Sequence, residues 1–255
     1  MPVLSIIVWD LETVPVAAAA RLLDLPGAPE AEVREALDSD FPKHPLHKIA
    51  CIGALVASRS AEGWRVEALG APHIGERSEV QLIRDFIERI GQLRPQLITF
   101  NGHSFDLPVL RYRAKVNRVP AAGLHVRQYF HRYTEDALDL CDVLGSYVPG
   151  AKVKLDDVRK ILELSGKPAG IDGSRVEEMV LAGQIEEVAR YCESDVLNTY
   201  RVWLVYELFR GSITAQELDW SEAQIRDFVA KRKTANSHLS ASLGTANATE
   251  TRELM

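Results

Sequence analysis

Two acids, Asp10 and Glu12, close an apolar run that begins at Val3 and ends in Val8-Trp9. Side chains of a strand alternate between faces, so the two carboxylates point the same way. Like charges held together on a buried strand repel and lose hydration unless a cation sits between them. A divalent ion meets that need. Acids two apart also occur at Glu30/Glu32, Asp38/Asp40 and Glu193/Asp195, so spacing alone carries nothing. What sets Asp10 and Glu12 apart is the preceding stretch of β-branched residues, which fits a strand covered on both faces.

Two other stretches offer partners. In Asn101-Gly102-His103-Ser104-Phe105-Asp106-Leu107-Pro108, Asp106 falls in the first turn of a helix if Ser104 is its cap. In Tyr191-Cys192-Glu193-Ser194-Asp195, Tyr191 and Asp195 lie four apart and share one helix face. Each has an ordinary explanation when taken singly. An acid at a helix N-terminus is stabilising by about 0.3–1 kcal/mol without any metal, Asp195 could pair on the surface or bond to backbone, and Tyr191 reads by default as a core aromatic.

The elements that must position these residues follow from hydrophobic periodicity. Strands are predicted at the first apolar run, at Ile49 to Ser58, at Trp64 to Leu69, at Leu97 to Phe100 and within Ala137 to Leu144. A long connection from Val14 to Lys48, punctuated by Pro15, Pro26, Pro29, Pro42 and Pro45, holds predicted helices at Val16 to Leu25 and Glu30 to Leu37. Helices are predicted at Glu79 to Leu93 and Phe105 to Asn117, then at Leu155 to Leu164, Ser174 to Ala182, Ile185 to Phe209 and Thr214 to Ala230. Ser174-Arg175-Val176-Glu177 has the form of a capping box. Residues Lys231 to Met255, rich in Ser, Thr, Ala and Asn, are predicted to be disordered. Strands first and helices later imply a mixed α/β sheet flanked on both faces, with the acids gathered at strand ends.

Composition narrows the function classes. With 255 residues, 46% of them apolar, the chain suits one main soluble domain. No apolar run is long enough to span a membrane and no secretory leader is visible, so no membrane partner is expected. Cys51, Cys141 and Cys192 are odd in number and far apart, which reads as buried reduced thiols in a cytoplasmic protein. A net charge of −6 argues against a broad basic surface for nucleic acid but leaves room for a local site.

Taken in order and spacing, Asp10-Leu11-Glu12-Thr13, the Asn101 to Pro108 stretch and Tyr191 to Tyr200 resemble the three exonuclease motifs of the DEDD superfamily. Tyr191 four residues before Asp195 resembles the DEDDy branch. The nearest likeness is to stand-alone 3'-5' exonucleases related to the proofreading domain of family B DNA polymerases. It runs from about residue 1 to 212, including Gly166-Lys167 and Asp172-Gly173-Ser174. A C-terminal helix and tail, 213–255, stand apart from it.

That resemblance implies an α/β, ribonuclease H-like fold with a mixed five-stranded sheet flanked by helices. It implies Asp10, Glu12, Asp106 and Asp195 as ligands of two Mg2+ or Mn2+ ions, with Tyr191 orienting the attacking water. An all-carboxylate set suits hard cations, and two metals would serve both the attacking and the leaving oxygen of a phosphodiester. Leu11, Thr13, Asn101 and Phe105 are candidate contacts to a single strand held by stacking. His44 and His47, in the long connection, and Arg111, Lys115 and Arg118, after Asp106, are weaker candidates. The expected substrate is the 3' end of single-stranded nucleic acid, DNA ahead of RNA. An exoribonuclease and a non-catalytic nucleic-acid-binding scaffold are the competing expectations. Without a polymerase segment, a proofreading or DNA repair role calls for a partner protein that the sequence does not name.

Overall fold

In the computed structural model, which describes residues 5–15, 20–37, 42–148, 150–164, 175–231 and 237–243, five strands form one sheet. They are β1 (Ser5–Val14), β2 (Lys48–Arg59), β3 (Trp64–Gly70), β4 (Gln96–Thr99) and β5 (Ala137–Asp139), in the order β3-β2-β1-β4-β5. β2 runs antiparallel to both β1 and β3, whereas β1, β4 and β5 are mutually parallel. The carboxyl ends of those three therefore open on the same edge of the sheet, where α/β folds gather their sites.

The helices are α1 (Glu30–Ala36), α2 (Glu79–Leu93), α3 (Asp106–Val116), α4 (Leu140–Leu144), α5 (Leu155–Ile161), α6 (Val176–Leu181), α7 (Ile185–Phe209), α8 (Ala215–Lys231) and α9 (Ser237–Leu243). They cover both sheet faces, as the alternation along β1 requires. Ile6 and Val8 pack with Val196, Leu197 and Trp203 of α7. Ile7, Trp9 and Leu11 pack oppositely, with Ile83 and Ile87 of α2 and Leu107 and Leu110 of α3. Asp10 and Glu12 share the parity of Ile6 and Val8, so they continue the face that α7 covers. This is the ribonuclease H-like architecture implied by the motifs. Among the described residues no helix is long and apolar enough to cross a membrane.

Several local expectations are corrected. The fifth strand does lie within Ala137 to Leu144, at Ala137–Asp139, but the rest of that stretch is a short helix, which the Asp139 side chain caps by accepting from the Cys141 N–H. Ser104 does not cap α3: Phe105 holds that position without a side-chain bond, while the Ser104 hydroxyl accepts from Lys152 instead. Within the predicted tail, Ser237–Leu243 is helical, with Leu239 and Leu243 buried against the α7 and α8 layer. Residues 16–19 of the predicted helix at Val16 to Leu25 lie outside the described residues, as do Gly166-Lys167, Asp172-Gly173-Ser174 and so the first residue of the expected capping box; residues 20–22 are helical.

Candidate active site

Three distant parts of the chain meet at the carboxyl end of β1. Asp10 and Glu12 come from the strand itself. Asp106, at the start of α3 on the opposite sheet face, reaches round the strand end and accepts from the Leu11 N–H at 3.2 Å. From the other side α7 brings Asp195, whose charge acts on Asp10, and Tyr191, whose hydroxyl bonds to the Asp195 carboxylate. Asp10, Glu12 and the Cys192 thiol place ligand-type atoms within 4.8 Å of one another.

Two glycines allow these approaches. A Cβ on Gly53, which pairs with Asp10 across β1 and β2, would stand 2.6 Å from the Cys192 sulfur and 3.0 Å from Val196 Cγ2. A bare backbone there lets α7 close on the sheet. Gly102 likewise sits where a Cβ would lie 2.5 Å from Thr99, so the chain can turn tightly out of β4. Asn101 precedes it with φ +71, a left-handed conformation that asparagine tolerates.

Asp139, at the end of β5, holds that turn together. It is 2% exposed and accepts from the N–H groups of Asn101 at 2.7 Å and His103 at 3.0 Å, as well as from Cys141 at 3.0 Å. It also acts on Asp106 electrostatically.

The charges of the site oppose one another. Burial, then the charges of Asp106 and Asp195, push the Asp10 carboxyl well above the usual range. Burial likewise drives Asp106 up, with the Leu11 N–H resisting and Asp139 adding to the rise, to about 7. Tyr191 is raised by burial and by the negative groups Asp195 and Glu12, so its phenol keeps its proton. Cys192 is held as a thiol by its hydrogen bond with Cys51 and by burial. Carboxylates that repel one another at the end of a strand, with only a backbone N–H of Leu11 to ease Asp10, have the donor chemistry that a hard divalent cation requires.

The expected substrate contacts lie in different settings. Leu11 turns its side chain into the core and offers the site only its N–H. The Thr13 hydroxyl bonds His47 Nδ1 at 2.9 Å, and the other nitrogen of His47 bonds the Pro42 carbonyl at 2.8 Å. Phe105 packs edge-on against His47, with ring centroids 4.9 Å apart, and near His44 at 5.9 Å. His47 therefore carries structural bonds at the mouth of the site. The Asn101 amide oxygen accepts from Lys152 at 2.6 Å.

Residues missed from sequence are Cys192, Asp139 and Lys152. Cys192 carried a signal, since it lies three before Asp195 and thus on the same helix face. Asp139 and Lys152 carried none, because their partners are backbone amides and loop side chains set only by the fold.

Residues 39–245 match the model of a family described as "Predicted 3'-5' exonuclease related to the exonuclease domain of PolB". The match takes in Asp106, Tyr191 and Asp195, extends past residue 212 through α9, and begins after Asp10 and Glu12. No curated protein matches the chain.

Proposed function

Since the chain belongs to this family of predicted 3'-5' exonucleases, we propose that it removes nucleotides from the 3' ends of single-stranded DNA, with two Mg2+ or Mn2+ ions. The observation that carries the proposal is the meeting of Asp10, Asp106, Asp195 and Tyr191, from one strand and two helices on opposite sheet faces, at one strand end. Asp10, Glu12, Asp106 and Asp195 are the residues that would hold the ions. Paired divalent ions supply a nucleophilic water at neutral pH and offset charge on the phosphoryl and leaving oxygens.

The protein's own part is placement. Tyr191, protonated and bonded to Asp195, is suited to orienting the water and not to taking its proton. The Leu11 N–H fixes one oxygen of Asp106, and Asp139 fixes the turn that precedes it. The three cysteines are free, in keeping with the proposed cytoplasmic setting.

End-labelled single-stranded DNA and RNA, incubated with Mg2+, Mn2+ or chelator, test the proposal. Stepwise shortening of DNA from the 3' end is expected with metal alone, and Asp195→Ala abolishes it. Tyr191→Phe is expected to lose at least a hundredfold in rate, the low end of positioned proton-handling effects, while keeping the rise in melting temperature that Mn2+ gives. Equal rates for Asp195→Ala and wild type would remove the site; faster RNA cleavage would make the enzyme an exoribonuclease.

A further inference from the structure

Beside the acids, at the carboxyl edge of β5, lies a cavity of about 250 Å3 lined by Ser104, Arg132, Asp142, Tyr147, Val148 and Lys152, among others. One wall is cationic. Asp142, 1% exposed, receives the Arg132 Nε at 2.7 Å and Nη2 at 2.6 Å, and Lys152 approaches the same carboxylate at 3.2 Å. Two cations converge on this one carboxylate, and Asp139 acts on Arg132 from a greater distance. The Arg132 side chain is 43% exposed, and its bonds to Asp142 use Nε and Nη2, which leaves Nη1 for another acceptor.

Tyr147 lines the other wall, and Tyr133, outside the lining, packs against it. Tyr147 and Tyr133 sit with ring centroids 5.0 Å apart, and Tyr133 is 78% exposed. Ser146 and Tyr147 both adopt left-handed backbone, φ +52 and +58. Such conformations are costly for these residue types and persist where the surroundings, often a ligand site, demand them.

The cavity adjoins the acids directly. Lys152 bonds the Asn101 amide oxygen and the Ser104 hydroxyl, each at 2.6 Å, and Ser104 is two residues before Asp106. Asp139 lies between, acting on Asp106 on one side and influenced by Asp142 on the other. Cations beside exposed aromatic rings are what a single strand needs: phosphates are neutralised and unpaired bases find faces to stack on.

We propose that this cavity seats the strand just 5' of the scissile bond, with Nη1 of Arg132 taking a phosphodiester, Lys152 adding its charge through the neighbours it already bonds, and Tyr133 with Tyr147 receiving a base. The proposal rests on the exonuclease reading. A 3' terminus ends at the acids, so only the 5' side continues across a neighbouring surface open to solvent. It also accounts for single-strand binding by a chain of net charge −6, because the positive groups are local.

The test is fluorescence anisotropy with a dye-labelled oligothymidylate, Ca2+ being supplied to offset the charge of the acids. The Tyr133→Ala/Tyr147→Ala double variant is expected to bind about tenfold more weakly, the loss of roughly one stacked base. Tyr133→Ala alone changes a side chain that supports no core and should weaken binding in the same direction. Arg132→Lys, which keeps the charge and loses the fork, should bind more weakly than wild type, and Arg132→Gln should reduce the steepness of the salt dependence by about 0.7, one phosphate on a single strand. Affinity of the double variant within twofold of wild type, with an unchanged salt slope in Arg132→Gln, overturns the subsite even if the enzyme cleaves DNA. Wild-type binding that the double variant weakens, without any metal-dependent cleavage, leaves a single-strand seat at this cavity and removes the exonuclease, and with it the placement 5' of a scissile bond.

Discussion

Asp106 carries the central conflict of the site, because folding buries its carboxyl beside other acids and lifts it from 3.8 to about 7. An acid raised on folding binds its proton more tightly in the folded chain than in the unfolded one. Between about pH 4 and 7 the folded state therefore holds more protons, and stability falls as pH rises through that window before levelling. The expected outcome, in chelator, is a melting temperature that declines from about pH 5 to pH 8, with Asp106→Asn flattening the decline. Mn2+ should restore more stability at pH 8 than at pH 5, since only the ionised carboxylate binds metal. A melting temperature that climbs over the same range would contradict the buried, repelling arrangement. The candidate residues were legible through the resemblance of their three stretches, in order and spacing, to the exonuclease motifs; of the acids only Asp10 and Glu12 stood out without it, by the strand before them. What the sequence could not show is the support, since Asp139 binds three backbone amides whose meeting depends on β4 and β5 lying side by side.

At the scale of elements, the long helices followed from periodicity because each buries a regular stripe, and the inner strands from short apolar runs, because helices cover both their faces. The α2 helix also has a local start signal, Ser78 and Gln81 forming a reciprocal cap that sequence spacing could reveal. Short pieces were less legible. β5 ends where a single side chain, Asp139, redirects the backbone into α4, and the apolar run continues unchanged through that point. The contact between α7 and β2 was equally silent, since it depends on what Gly53 lacks. Gly53→Ala would put a Cβ 2.6 Å from the Cys192 sulfur and 3.3 Å from the Cys192 carbonyl. Rotating the thiol moves it off Asp10, which its sulfur approaches at 3.8 Å, and the helix backbone must still yield. Overpacking of this kind costs about 1–3 kcal/mol. Urea denaturation should register that loss, and the proposed exonuclease activity should fall further than stability explains, because α7 carries both Tyr191 and Asp195 of the candidate site. An alanine variant with unchanged midpoint and rate would mean that α7 does not need this close approach.

On the scale of the whole molecule, the sheet holds the two helical layers and α7 spans most of one of them. The end of the described chain closes that layer: α9 docks on α7 and α8 through Leu239, fully buried, and Leu243, while His238 meets Glu193 of α7 at 2.7 Å. A seven-residue helix has no stability of its own in water, so α9 exists only because packing rewards it. Two leucines among small polar residues leave too faint a period to see in sequence, which is why composition suggested disorder. The dependence runs both ways and can be measured. Leu239→Ala removes a side chain from a core that includes Val196, Trp203 and Val229, and burial at such a site is worth about 2–5 kcal/mol. Because so short a helix can undock and let the core relax, the cost should fall near the lower end of that range. Thermal melting of Leu239→Ala beside Ser240→Ala, a change at the exposed neighbour, separates packing from helix propensity. The first is expected to melt several degrees lower and the second within a degree or so of wild type; coincident curves for all three would show that α9 contributes nothing to the fold.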